Sequence, residues 1–242
     1  MAGRKKETKE TGTAITLEIK RQMFHIAFGL AIALLFAANM IDWELLSVVL
    51  VVGLIVSLLS TKYKLPIISW FLKNFERRKA KLPGKGALSL LAGILLAIII
   101  FEKNTALAAI MVVTLGDSLS HITGKLFGKT KNPLNKYKLI EGSFMGFVFG
   151  AAGASLFVLW QHAIAASAVA MIVESIEIKF KQVIVDDNLV LPLVAGTVIY
   201  LIQMYFSYRK LHNFLIFLHN LQAHSYNSEV DYYNSLHHYY SY

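Results

Sequence analysis

No cysteine occurs among the 242 residues, which excludes disulfides, zinc thiolates, cysteine nucleophiles and iron–sulfur ligation. Charge is scarce too: 16% of residues carry it, against roughly 25% in ordinary soluble domains, and only four prolines interrupt regular structure. What replaces the missing charge is apolar, with 56% hydrophobic residues and a mean hydropathy of +0.54. Such a chain is neither disordered nor an ordinary soluble domain. The charge that is left is lopsided, with 24 Lys and Arg against 15 Asp and Glu and a net charge of +9.

A helix crossing a hydrocarbon core of about 30 Å needs roughly 17–25 mostly apolar residues. Seven stretches meet that need, at about 23–41, 44–60, 86–101, 105–122, 143–160, 163–184 and 189–206, so the expected fold is an all-α polytopic membrane protein. Lys and Arg are retained on the cytoplasmic side when they lie near span ends. Of the 24, 21 fall in the N-terminal segment, the 61–85 and 123–142 loops and the 179–188 link, while the alternate connections hold almost none. That alternation predicts seven spans, with the N-terminus and the polar ends of the spans cytoplasmic and the C-terminus on the opposite side. It also explains the basic charge without nucleic acid. A secretory signal is rejected, because the first apolar run is long enough to span and the alternation fails without it.

Three regions follow from this division: a basic N-terminal segment 1–17, a membrane catalytic domain 18–206 and a Tyr/His-rich tail 207–242. Between the second and third spans, 'KLPIISWFLKNFERRKAKLPGKG' mixes aromatic and basic residues. This suits a helix in the cytoplasmic interface, started by Pro66 and ended by Pro83-Gly84. Seven of the eleven Tyr and five of the eight His follow residue 206, in a stretch without steady period. It reads as a weakly ordered tail rather than a metal site.

Polar residues concentrate at the inner ends of the spans, in three clusters. The first runs from the fourth span into the next loop. Asp117 lies within an apolar segment, where its ionised form needs a partner such as a divalent cation. Gly124 and Gly128 permit close backbone approach. Lys125, Lys129, Lys131, Lys136 and Lys138 follow within fourteen residues, and Glu141-Gly142-Ser143 opens a helix whose free N–H groups suit anionic oxygen. Each piece alone has an ordinary explanation in helix packing or topology; their coincidence points to a phosphate ligand. In the second cluster, Glu174 and Glu177 share a helical face, and Asp186, Asp187 and Asn188 offer oxygen ligands or a helix cap before Pro192. In the third, Glu18, Arg21 and His25 form one stripe at the start of the first span.

Taken in this order, the clusters resemble the CTP-dependent polyprenol and lipid kinases, the family of dolichol kinase, phytol kinase and CTP-dependent diacylglycerol kinase. The matching pieces are Glu18-x-x-Arg21-x-x-x-His25, Gly84-Lys85-Gly86, Gly116-Asp117 with Gly124 and Gly128, Lys138 with Glu141-Gly142-Ser143, and Glu174 followed by Asp187-Asn188-Leu189 and Pro192. Gln22 stands where the family usually has a second basic residue, and Leu139 where a Thr commonly follows the Lys. The order is more distantly similar to that of CTP:phosphatidate cytidylyltransferases.

The resemblance implies transfer of the γ-phosphoryl group of CTP to the hydroxyl of a long-chain lipid alcohol, isoprenoid or diacylglycerol-like, drawn from the membrane lipids. It implies Mg²⁺ held by Asp117 with Asp187 or Glu174, and triphosphate neutralised by Lys125, Lys129, Lys138 and Arg21. Glu141, Gly142 and Ser143 would sit at the nucleotide, and His25 or Glu18 would position the acceptor hydroxyl. The alternatives are a CTP:lipid-phosphate cytidylyltransferase and a non-catalytic transporter. The small-residue run 'GFVFGAAGAS' leaves packing within one chain or between two open, so an oligomer is compatible with the sequence.

Overall fold

The computed structural model describes the backbone of residues 2–63, 66–75, 82–176, 179–180, 183–184 and 186–239. Side chains are described for 15–63, 66, 68–72, 74–75, 82–135, 138–176 and 186–216. In chain order the helices are α1 (Ala2–Ala37), α2 (Trp43–Lys62), α3 (Pro66–Phe75), α4 (Lys85–Ile100), α5 (Lys103–Met111), α6 (Ser118–Phe127), α7 (Ile140–Ala154), α8 (Trp160–Ser175) and α9 (Asp187–Tyr239). A π-helical segment, Val112–Asp117, joins α5 to α6.

Each of the seven apolar stretches contains a helix. Four candidate spans are long and apolar enough to cross a membrane: Ile15–Ala37, Trp43–Lys62, Lys103–Phe127 and Asp187–Ile216. The helices α4, α7 and α8 are shorter, at 15 or 16 residues. The chain is therefore a helical membrane protein with four candidate spans of full length among the described residues.

Three expectations need correction. The sixth stretch does not stay helical to 184: α8 stops at Ser175, and Lys179–Phe180 pairs antiparallel with Val183–Ile184. The alternation in 'IEIKFK' has period two and is rich in β-branched residues, a strand signal that mean hydropathy hides. The basic loop after α6 holds a second hairpin, Lys131–Asn132 against Asn135–Leu139, closed by an Asx-turn in which Asn132 Oδ1 accepts from Leu134 N at 2.9 Å. The fold is thus helical with two small hairpins at the connections. Finally, the chain beyond 206 is helical through Tyr239. No Gly or Pro follows Gly196 to end the helix. Leu201–Tyr242 forms a compact unit of its own.

Within residues 1–200 the continuous helix Lys103–Phe127 is central. Ile110, Val112, Val113 and Thr114 are wholly or almost wholly buried, as expected of a helix apolar on all sides. Helices α1, α4, α7 and α8 pack around it, and α2 packs on α4 with most of its surface exposed. The small residues of α7 serve this packing within the chain. A Cβ on Gly146 would lie 2.6 Å from Met171 Sδ and 2.7 Å from the Gly116 carbonyl oxygen, so α7, α8 and the π segment are in backbone-level contact there.

The ends are locally specified. Asp42 caps α2 by accepting from Leu45 N at 2.9 Å. Gly84 precedes α4 at φ 74°, a left-handed turn that suits glycine. Helix α3 starts at Pro66 as expected, and Phe71 packs edge-on and Phe75 tilted against Phe24 of α1, with Phe24 and Phe71 centroids 4.8 Å apart. Residues 76–81, the basic half of that segment, lie outside the described residues.

Candidate active site

The π segment ends on Asp117, which is 4% exposed, and α6 carries Ser120 and His121 on the following turn. Residues four apart in a helix share a face, so Asp117 and His121 are neighbours, with His121 Nε2 3.5 Å from Asp117 Oδ1. Opposite them the last turn of α8 presents Glu174, 1% exposed, with Ser120 Oγ 3.3 Å from its Oε1. One ligand atom each from Asp117, His121 and Glu174 lies within 4.8 Å of the others.

Lys138, on the second strand of the 131–139 hairpin, reaches under this group. Its Nζ lies 2.9 Å from Glu174 Oε1 and 3.0 Å from Asp187 Oδ2, and it also donates to the Glu174 carbonyl oxygen. Burial by itself lowers the pKa of Lys138, but the charges of Glu174 and Asp187 outweigh it and hold the ammonium above the usual lysine range. Asn132 Nδ2 donates to Ser175 Oγ at 2.9 Å, tying the same hairpin to the end of α8.

The third cluster adjoins. Glu18 and His25 are buried in α1. Glu18 Oε1 accepts from Arg21 Nη2 at 2.5 Å and from Gln22 Nε2 at 3.1 Å. Gln22 therefore bonds Glu18 at the position where a second basic residue was expected. His25 Nδ1 lies 2.9 Å from the Arg21 carbonyl oxygen, which can only accept, so Nδ1 carries a proton; in the neutral form of the ring Nε2 is then the acceptor. That side of the ring faces Gly86, where a Cβ would lie 3.4 Å from Nε2. Lys85 Nζ lies 3.4 Å from Asp186 Oδ2, and Asn188 Nδ2 donates to Ser89 Oγ at 3.3 Å, which joins the start of α4 to that of α9. Asp186 also caps α9, accepting from Asn188 N at 3.2 Å.

The residues singled out in the sequence thus divide. Asp117, Glu174, Lys138 and Asp187 form one connected group, with Glu18, Arg21 and His25 on the adjoining helix. Lys125 and Lys129 are exposed on the α6 end and the following loop. Glu141 starts α7 as expected, but its carboxylate turns back on the loop and accepts from Thr130 N at 3.0 Å, so it occupies ground assigned above to phosphate. Gly142 packs against α6: a Cβ there would lie 2.6 Å from the Ser120 carbonyl oxygen and 3.1 Å from Gly124 Cα. Ser143 Oγ lies 3.3 Å from Ser175 Oγ, and Gly128 abuts Leu139. Gly124, Gly128 and Gly142 are therefore packing positions. Glu177 and the side chain of Lys136 lie outside the described residues.

Sequence reasoning missed His121 and Ser120. The available signal was spacing: Asp117 and His121 at i and i+4 is the same relationship that was noticed for Glu174 and Glu177 at i and i+3.

The donor set can be tested against the implied cation. Asp117 Oδ1 is buried without a hydrogen-bond partner and faces the carboxylate of Glu174 across the group. Two hard oxygen donors so placed fit a divalent cation. Asp187, the other expected ligand, is paired with Lys138.

Over 193 residues the chain is 33% identical to the uncharacterized protein MJ1137 of Methanocaldococcus jannaschii, an alignment covering 75% of this chain and 92% of that protein. The chain belongs to the family of that protein. Over 149 residues it is 25% identical to CTP-dependent diacylglycerol kinase 1 of Eremothecium gossypii, covering 58% of this chain. It spans 46% of the kinase, less than half its length. No family model and no solved structure matches. The comparisons thus give a distant similarity to a lipid kinase in a helical membrane protein.

Proposed function

We propose that this chain is a membrane kinase that transfers the γ-phosphoryl group of CTP to the hydroxyl of a long-chain lipid alcohol. The observation that carries the reading is the group formed at the helix ends by buried Asp117 and Glu174 with the partly exposed Lys138 and Asp187, in a chain distantly similar to a CTP-dependent diacylglycerol kinase. Charge of this kind has no purpose in a lipid-facing bundle, and its cost is accepted where a ligand needs it.

The reaction asks for positioning and charge neutralisation more than for covalent chemistry. The acceptor oxygen attacks the γ-phosphorus, the bond from that phosphorus to the β-bridging oxygen breaks, and CDP leaves with the electron pair. His25 Nε2, unprotonated and facing Gly86, takes the hydroxyl proton. Glu18 holds Arg21 toward the phosphates. Lys125 and Lys129 attract the triphosphate from the aqueous side, while Lys138 fixes Glu174 and Asp187. A divalent cation, Mg²⁺ in the family resembled, supplies neutralisation of the triphosphate when held by Asp117 and Glu174. The lipid tail stays in the bilayer, with the site at its cytoplasmic face and the C-terminus on the other side.

The purified protein with γ-labelled CTP and a panel of geranylgeraniol, dolichol and diacylglycerol tests this. Label in lipid with CDP released is expected. Transfer from α-labelled CTP to a lipid phosphate, with pyrophosphate released, would replace it with the cytidylyltransferase reading. No lipid-dependent turnover of any nucleotide would leave a transporter.

A further inference from the structure

The cation site has a donor that Mg²⁺ does not favour. His121 stands one helical turn after Asp117, its Nε2 is 3.5 Å from Asp117 Oδ1, and both belong to the group with Glu174 whose ligand atoms fall within 4.8 Å. Donors about 2.1 Å from a common ion stand roughly 3 to 4 Å apart, so small side-chain rotations close these three on one cation.

A histidine that merely bonds its neighbour would place its N–H against the carboxylate at about 2.9 Å. Here the separation is longer, and Asp117 Oδ1, in a residue 96% buried, receives no hydrogen bond. Leaving such an oxygen unmatched in a buried site is costly, and a bound cation offsets that. The surrounding charge agrees: Asp117, Glu174 and Asp187 stand against the single ammonium of Lys138 among the groups bonded here. Lys138 and Ser120 hold the Glu174 carboxylate, orienting it toward the other two residues.

We infer that Asp117, His121 and Glu174 form a mixed nitrogen and oxygen site that binds a first-row transition dication, with Mn²⁺ its convenient probe, in preference to Mg²⁺. Carboxylate and water suit Mg²⁺ and Mn²⁺ alike, whereas imidazole suits Fe, Ni, Cu and Zn, so Mn²⁺ is the least favoured of the series and the strictest probe of it. The preference comes from His121. Asp187, bonded to Lys138 as Glu174 is, lies outside the group of three whose ligand atoms converge.

The test uses the full chain in detergent or nanodiscs without nucleotide. Titration of Mn²⁺ is followed by loss of the free-ion paramagnetic signal, and the bound ion by pulsed electron paramagnetic resonance, where a coordinated imidazole gives nitrogen modulation. The parent is expected to show that modulation and to hold Mn²⁺ at least roughly tenfold more tightly than Mg²⁺ in competition, which needs no substitution. His121→Asn and His121→Gln should remove the modulation and weaken Mn²⁺ by roughly tenfold or more, with Mg²⁺ affinity little changed. A His237→Asn/His238→Asn variant should keep both, which separates this site from the paired histidines of the tail. Modulation undiminished in either His121 variant, or Mg²⁺ displacing Mn²⁺ at equal concentration, overturns the inference. Nitrogen-coupled Mn²⁺ in a protein that transfers no phosphoryl group overturns the kinase reading instead.

Discussion

Lys138 is bonded twice to Glu174, through the carboxylate at 2.9 Å and through the backbone carbonyl, although 36 residues separate them. The pair ties the 131–139 hairpin to the end of α8 and sets the direction in which Glu174 presents its other oxygen. Removing the ammonium leaves a 1% exposed carboxylate without its charge partner. Lys138→Met should therefore destabilise the protein by about 3–5 kcal/mol, as breaking a buried pair does, and adding Glu174→Gln should recover part of that. Chemical unfolding in detergent of the two single variants and the double variant measures the coupling.

The same pair fixes a pH dependence. The folded-state pKa of Lys138 is raised, so its stabilisation is complete below the ordinary lysine value of about 10.4 and is lost as pH rises through the raised value. The stability difference between parent and Lys138→Met should stay level from about pH 7 to pH 9 and shrink only in stronger base. A difference that falls between those two pH values would remove the ion pair as its source.

Asp117→Asn conserves shape and removes charge from the centre of the cluster. Lipid-dependent CTP turnover should fall by roughly 10²–10³-fold, the scale of losing one preorganised electrostatic contact, while the thermal transition stays within a few degrees. Turnover at the parent rate in a folded variant would exclude Asp117 from the site.

His25→Ala should lower kcat by roughly 10²–10⁴-fold, the contribution of a positioned base, with KM for CTP little changed. Glu18→Gln, which keeps a bond to Arg21 but lowers its attraction, should act mainly on KM for CTP. A steady-state split of kcat and KM for both variants distinguishes proton transfer from phosphate positioning.

Gly146→Leu puts a side chain where α7, α8 and the π segment touch, and overpacking of that kind costs about 1–3 kcal/mol or prevents folding. Val148→Leu, on the exposed side of the same helix, should be neutral. Equal expression and melting of the two would mean that the α7 contact is not tight.

Much of the fold was legible because its signal is local. Each of the seven apolar runs contains a helix and Pro66 starts α3, whereas Gly84, expected to close that helix, precedes α4; Asp117, Glu174 and the Glu18–His25 stripe lie on helices, while Glu177 lies outside the described residues. The two hairpins were not legible at that level: 'IEIKFK' is apolar enough to extend a helix by average hydropathy, and only its period of two reveals the strand. The helical run to Tyr239 was hidden in the opposite sense, since composition there argued for a weakly ordered tail while the absence of Gly and Pro left nothing to stop α9.

What the sequence determined alone is the set of groups available: no thiols, carboxylates placed inside apolar stretches, and cations in alternate connections. Only the tertiary structure decided who meets whom. Lys138 could as well have faced solvent with Lys129; Asp187 could have joined Asp117; Glu141 could have left its helix start to an anion. Spacing along a helix fixes neighbours within one turn, which is why Asp117 and His121 could have been paired on paper. Partners 36 or 49 residues apart, such as Lys138 with Glu174 and Asp187, depend on how deep α7 seats its glycines against the π segment, and that depth is a property of packed helices.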